Sequence, residues 1–177
     1  SSVQLTVDLY DKDLCDTLYS ECEASLDRIR ANIAEKYGSV EDATKIQIVK
    51  EIHDYLVLKK EYGDSDMDQN IAGALSEKYT PVCMIYAMAF KWCCDNLGVQ
   101  CEVVTGHASK DGNHAWNIPQ YGEPLDYSSV DTVFDPTDWY EMDVTWDGPV
   151  GAAQNYISYE HFNITTAKRE QTRTRST

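Results

Sequence analysis

The chain reads as a single α+β domain, helices in its first half and antiparallel strands in its second. Apolar residues recur at helical spacing as far as about residue 97. Beyond that point short β-branched and aromatic runs alternate with Gly, Pro, Asn and Asp. A length of 177 residues suits one domain, since a chain of this size buries roughly two-thirds of the surface its unfolded form exposes. The expected division is a helical part over about 1–97 and a sheet part over about 98–165. The tail of about 168–177, "KREQTRTRST", is expected to fray.

The elements follow in order. From about Asp11 to Tyr37, Leu14, Leu18, Cys22, Leu26, Ile29 and Ile33 mark one helical face, and Gly38 stands where that helix stops. Ser39, with Asp42 three residues on, offers a cap for a second helix whose face carries Ile46, Val49, Ile52, His53 and Leu56 and which ends near Gly63. Thr80 as cap and Pro81 as first helical residue predict a third helix, placing Val82 and Cys83 in its first turn and ending it near Asn96. "VQCEVVTG" and "HAWNIP" read as a hairpin turning at Asp111-Gly112, and "DWYEMDVTWDGP" as a third strand that stops at Gly148-Pro149.

Composition narrows the function. Thirty acidic against fifteen basic side chains give a net charge of −15, which repels phosphate backbones and argues against a nucleic-acid partner. No apolar run has the length of a membrane span, so membrane insertion is not expected. The opening "SSVQLTVDLY" lacks the basic and apolar blocks of a signal peptide. Six cysteines include no CxxC unit, so no structural zinc and no cofactor are expected. Cys15 and Cys22 would lie about 10 Å apart along a helix, too far to bridge. Asp64, Asp66 and Asp68 alternate as in a calcium loop, but Gln69 and Leu75 fall where that loop needs glycine and glutamate, so the segment reads as solvated.

Cys83 is different, because a helix N-terminus favours the thiolate through free backbone N–H groups and the helix dipole. A buried small hydrophobe is the plain reading of any free cysteine, and Cys93, Cys94 and Cys101 fit it. A nucleophile needs an imidazole to move its proton, and the imidazole needs a group to orient it. His114 opens one strand and Asp143 lies in the next, so adjacent strands can bring both to the helix tip. His53, on an apolar face, reads as a satisfied core histidine, and His107 as exposed near the hairpin turn. Trp116, Trp139 and Trp146 are core or cleft residues, with Trp116 the preferred cleft wall and substrate-binding candidate.

"PVCMIYAMAFKWCCDNLGVQCEVVTG", "NHAWNI", "WYEMDVTWDGP" and "YISYEHFNIT" stand in this order. Together they resemble the transglutaminase-like superfamily of bacterial domains, whose blocks are VCxGYAxAF, HAWN, WYxxDxTWDDP and a late YFN. The resemblance implies a papain-like fold with a cysteine-bearing helix packed on an antiparallel sheet. It places the family's nucleophile on Cys83, its general base on His114 and its orienting acid on Asp143. It also implies acyl transfer on protein or peptide amides through a thioester, as a transglutaminase, deamidase or cysteine protease; an extracellular or cell-surface location in a bacterium is expected, with a cytoplasmic one left open. The other reading is an inactive or weakly active papain-like module with a binding or surface-architecture role.

Two departures stand out. Ile85 and Pro81 occupy positions where the family pattern has small residues, which implies narrower access to the nucleophile. "QYGEPLDYSSVDTVFDPTD" lengthens the path from His114 to Asp143 and reads as an insertion beside the cleft. Asp135, Asp138 and Asp147 are the competing carboxylates, expected at the surface or in turns.

Overall fold

A computed structural model describes residues 11–59, 62–63, 70–108, 112–121, 140–148 and 156–176. The acidic segment at 64–69, the turn at 109–111 and the 122–139 stretch holding Asp135, Asp138 and Trp139 lie outside these residues.

Helix α1 spans Lys12–Tyr37 and α2 Lys45–Lys59. Asp11 caps α1 by accepting the N–H of Asp13, and Gly38 ends it at φ +96°, a left-handed conformation that a Cβ disfavours. Ser39 and Asp42 bond each other within the connecting turn, while the Thr44 N–H is taken by the Gln47 side chain at 2.8 Å. The expected Ser39 cap therefore organises a turn, and the helix starts at Lys45. The short α3, Ala72–Leu75, is tied to both long helices: Ser25 Oγ donates to the Leu75 carbonyl at 2.6 Å, and Tyr55 Oη to Ser25 Oγ at 2.9 Å.

Helix α4 runs Cys83–Asn96 through the middle of the molecule. Its residues Ile85, Tyr86, Ala89, Phe90, Cys93 and Cys94 are buried against α2, α3 and the sheet. Val82 is its cap and makes no side-chain capping bond, so the helix begins two residues later than Thr80-Pro81 suggests and Cys83 is its first residue. Strands β1, Cys101–Ala108, and β2, Gly112–Pro119, form the expected hairpin, with Gly106 facing His114. The Asn117 amide donates to the Ala87 carbonyl at 2.9 Å and the Lys91 ammonium to the Cys101 carbonyl at 2.7 Å, locking helix to hairpin.

The third strand does not form as expected. Asn117 pairs with Met142 and Glu141 with Ile164 in single antiparallel bridges, after which Asp143 caps a one-turn helix, α5, over Val144–Asp147. The cause is local: the Asp143 carboxylate accepts the Trp146 N–H at 3.1 Å, an alternative to ladder pairing that aspartate offers its own backbone.

The tail also departs from expectation. Thr165 caps α6, Thr166–Arg169, and strand β3, Arg173–Arg175, pairs antiparallel with β1 to give the order β2-β1-β3. Arg169 and Arg175 bind the fully buried Glu141, so the basic tail is held by a carboxylate distant in sequence. Gly106 lets the tail approach. A Cβ there would sit 2.0 Å from the Thr174 carbonyl oxygen and 2.6 Å from the Trp116 ring.

Candidate active site

Three elements converge at the tip of α4. Cys83, half-buried, opens the helix; His114 comes from the second-strand edge of the hairpin; Asp143 comes from the cap of α5. His114 Nε2 lies 2.8 Å from Asp143 Oδ2, both side chains being almost wholly buried. The Cys83 thiol is close enough to the His114 ring and to the backbone N–H groups of Ala115 and Met84 for all three to act on its ionisation. With Nε2 committed to Asp143, Nδ1 is the nitrogen left for sulfur.

The electrostatics follow from these contacts. Burial by itself pushes the Cys83 thiol up, but the His114 hydrogen bond and the two backbone N–H groups outweigh it and hold the thiol below its ordinary value. Burial likewise pulls His114 down, while its bonds to Asp143 and Cys83 raise it to about 9. A thiolate–imidazolium pair is the charge state both shifts favour. The contrast with the other thiols is sharp: burial raises Cys22 to about 11 and drives Cys93 and Cys94 higher still.

Aromatic rings enclose the imidazole. Trp146 stacks on His114 at 5.0 Å between centroids and 25°, and Trp116 at 6.1 Å and 22°. Trp116 is 1% exposed and donates its indole N–H to Glu141 at 2.6 Å, so it supports the site from beneath and is not a cleft wall. Trp146, which is partly exposed, is the indole nearer His114. Ile85 is also buried, within the hydrophobic core.

Asp147 was expected near the surface, yet it is 1% exposed. It lies 3.2 Å from His53 Nε2 and accepts the His161 N–H at 2.9 Å. His53 reaches Asp54 through its other nitrogen at 3.0 Å, so the core histidine is satisfied by two carboxylates. Burial lowers the His53 pKa, but the bonds to Asp147 and Asp54 more than offset this and raise it. His107 is exposed, as its position implies.

Arg173 is the residue that sequence patterns did not single out. Its guanidinium lies 3.4 Å from Asp143 Oδ2, the oxygen that also meets His114. Basic residues in a polar tail give no sign of burial, and only the pairing of β3 with β1 discloses it. Among the described residues no group of three or more His, Cys, Asp or Glu side chains could hold a metal ion, and no helix is long and apolar enough to cross a membrane.

No protein-family model matches the chain, and no curated protein sequence does. Among solved structures it is similar to one described as a TGase, a transglutaminase, with a TM-score of 0.52 and 14% identity over 86% of this chain and 38% of that one. A Cytophaga hutchinsonii protein described as a proposed cysteine protease gives a TM-score of 0.47 and 20% identity over 77% of this chain and 43% of that one. The chain thus spans less than half the length of either. The fold is transglutaminase-like and papain-like: helices and a cysteine-bearing helix tip packed on a small antiparallel sheet.

Proposed function

We propose that the domain is a cysteine-dependent acyl transferase acting on protein or peptide amides. One observation carries this reading: at a helix N-terminus the His114 imidazole stands beside the Cys83 thiol and is held by the Asp143 carboxylate at 2.8 Å. Cys83 Sγ attacks the carboxamide carbon, and the proton held by His114 passes to the departing nitrogen. The products of that half-reaction are a thioester on Cys83 and free ammonia or amine. Asp143 keeps the ring oriented and stabilises its charge. The amide N–H of Cys83, which as the first helical residue has no intrahelical acceptor, is available to the developing oxyanion.

The thioester is then resolved by an amine, giving a crosslink, or by water, giving deamidation or peptide cleavage. A protein or peptide substrate accords with the transglutaminase-like fold. The test supplies a glutamine-bearing protein and a small labelled primary amine, with Cys83→Ala as control. Label incorporation and ammonia release that both vanish in Cys83→Ala support amine transfer, whereas cleavage without labelling identifies a protease using the same three residues. Neither activity in the wild type over a broad panel of substrates makes the domain a binding module.

A further inference from the structure

Arg173 lies in the strand β3, remote in sequence from the residues of the α4 tip, yet its side chain is fully buried beside them. Its guanidinium carbon is 4.7 Å from the Trp146 ring and 5.3 Å from the Trp116 ring, the two indoles that stack on His114. Nη1 approaches Asp143 Oδ2 and the Thr172 hydroxyl, while Nε and Nη2 have no hydrogen-bond partner among the described residues. Those nitrogens belong to a cation held over aromatic faces, whose negative quadrupole takes the place of conventional acceptors.

This is an expensive way to fill space. A buried guanidinium with unmet donors costs desolvation energy, and an apolar side chain of similar volume commonly serves stability as well or better. What an apolar side chain cannot supply is a positive charge on the oxygen shared with His114. We propose that Arg173 is a positioning residue for the His114–Asp143 pair: it fixes the carboxylate against the imidazole and sets the pH range in which Cys83 and His114 are charged together.

The charged surroundings are few and specific. Asp143, Glu141 and Asp147 attract the guanidinium and Arg169 repels it; on the proposal, Cys83 and His114 are the groups whose ionisation it biases. A cation near a thiol favours the thiolate, and near an imidazole it disfavours the imidazolium. Both effects have one sign on the pH axis. Removing the charge moves both ionisations to higher pH; restoring it with another cation moves them back.

The assignment rests on the pairing of Cys83 with His114, and one experiment separates the two. The rate of Cys83 alkylation by iodoacetamide is followed against pH, by peptide mass, in wild type, Arg173→Met, Arg173→Gln and Arg173→Lys. In the wild type the profile rises below the ordinary thiol range and changes again near the His114 ionisation. Both inflections move up by about one pH unit in Arg173→Met and Arg173→Gln and return towards wild type in Arg173→Lys. A wild-type profile like that of a free thiol overturns the pairing itself. A depressed wild-type profile that is unchanged in the folded Met and Gln variants overturns the role of Arg173 alone. Loss of the fold in both variants makes Arg173 a structural residue and also overturns it.

Discussion

His114 Nε2 and Asp143 Oδ2 meet at 2.8 Å although 29 residues separate them, because β2 and the cap of α5 are joined by the Asn117–Met142 bridge. Asp143 also caps α5, so one carboxylate turns the backbone and orients the imidazole. Asp143→Asn is expected to keep the fold, since an amide oxygen still caps, while lowering turnover about 10²–10⁴-fold by no longer stabilising the imidazolium. Circular dichroism with steady-state kinetics checks this. Unchanged turnover transfers the role to another residue.

The six thiols are expected to separate in reactivity. Near pH 6, Cys83 alkylates faster than the other five, because its thiolate is held by His114 and by backbone N–H groups. The two shifts have opposite signs. His114, raised from 6.5 to about 9, stabilises the fold fully below 6.5 and loses that contribution as pH rises through about 9. Cys83, lowered from 9, contributes fully above 9 and loses that contribution as pH falls through its lowered value. The ion pair thus exists between the lowered Cys83 value and about 9, and labelling mapped by peptide mass should plateau there. Uniform slow labelling of all six would contradict the pair.

Much of this was legible in the chain. The periodic helices, the hairpin, and Cys83, His114 and Asp143 follow from local pattern and from the order of sequence blocks. Trp116 is buried and not a cleft wall because Glu141 holds its indole inward, a contact between positions that no local pattern links. The tail misled for a related reason: "KREQTRTRST" looks solvated until Glu141 and Asp143 are known to wait beneath it. Asp147, one turn past Asp143, reads as a surface or turn residue because its partner His53 sits on the second helix, out of reach of local pattern. Long-range contacts to buried carboxylates decided each of these positions.

His53 provides a stability prediction. It is fully buried between Asp147 and Asp54, and removing one member of a buried ionic group leaves the others uncompensated. His53→Gln should cost roughly 3–5 kcal/mol in urea unfolding at pH 6. The histidine's folded pKa is raised, so its contribution is full below 6.5 and is lost as pH rises through the raised value. The gap between wild type and variant should therefore narrow towards alkaline pH. A gap that widens would show that His53 is neutral in the fold.

Gly106→Ala tests the docking of the tail. The new methyl would overlap the Thr174 carbonyl and the Trp116 ring, so β3 must move away from β1. The expected results are a loss of about 1–3 kcal/mol and faster hydrogen exchange at the Ser176 amide, which donates to the Thr105 carbonyl at 2.9 Å. Unaltered exchange would mean the tail accommodates the methyl in place.

The central claim is that Cys83 becomes acylated. Its direct measurement is the intact mass of the protein, acid-quenched during reaction with a glutamine-containing peptide, followed by mapping of the modified residue. The account predicts an acyl adduct on Cys83, equal to the peptide less ammonia where a glutamine carboxamide reacts or to the N-terminal fragment where a peptide bond is cleaved, absent from Cys83→Ala and discharged on adding a primary amine or on standing in water. Turnover of the peptide with no adduct on Cys83, or an identical adduct in Cys83→Ala, would contradict it.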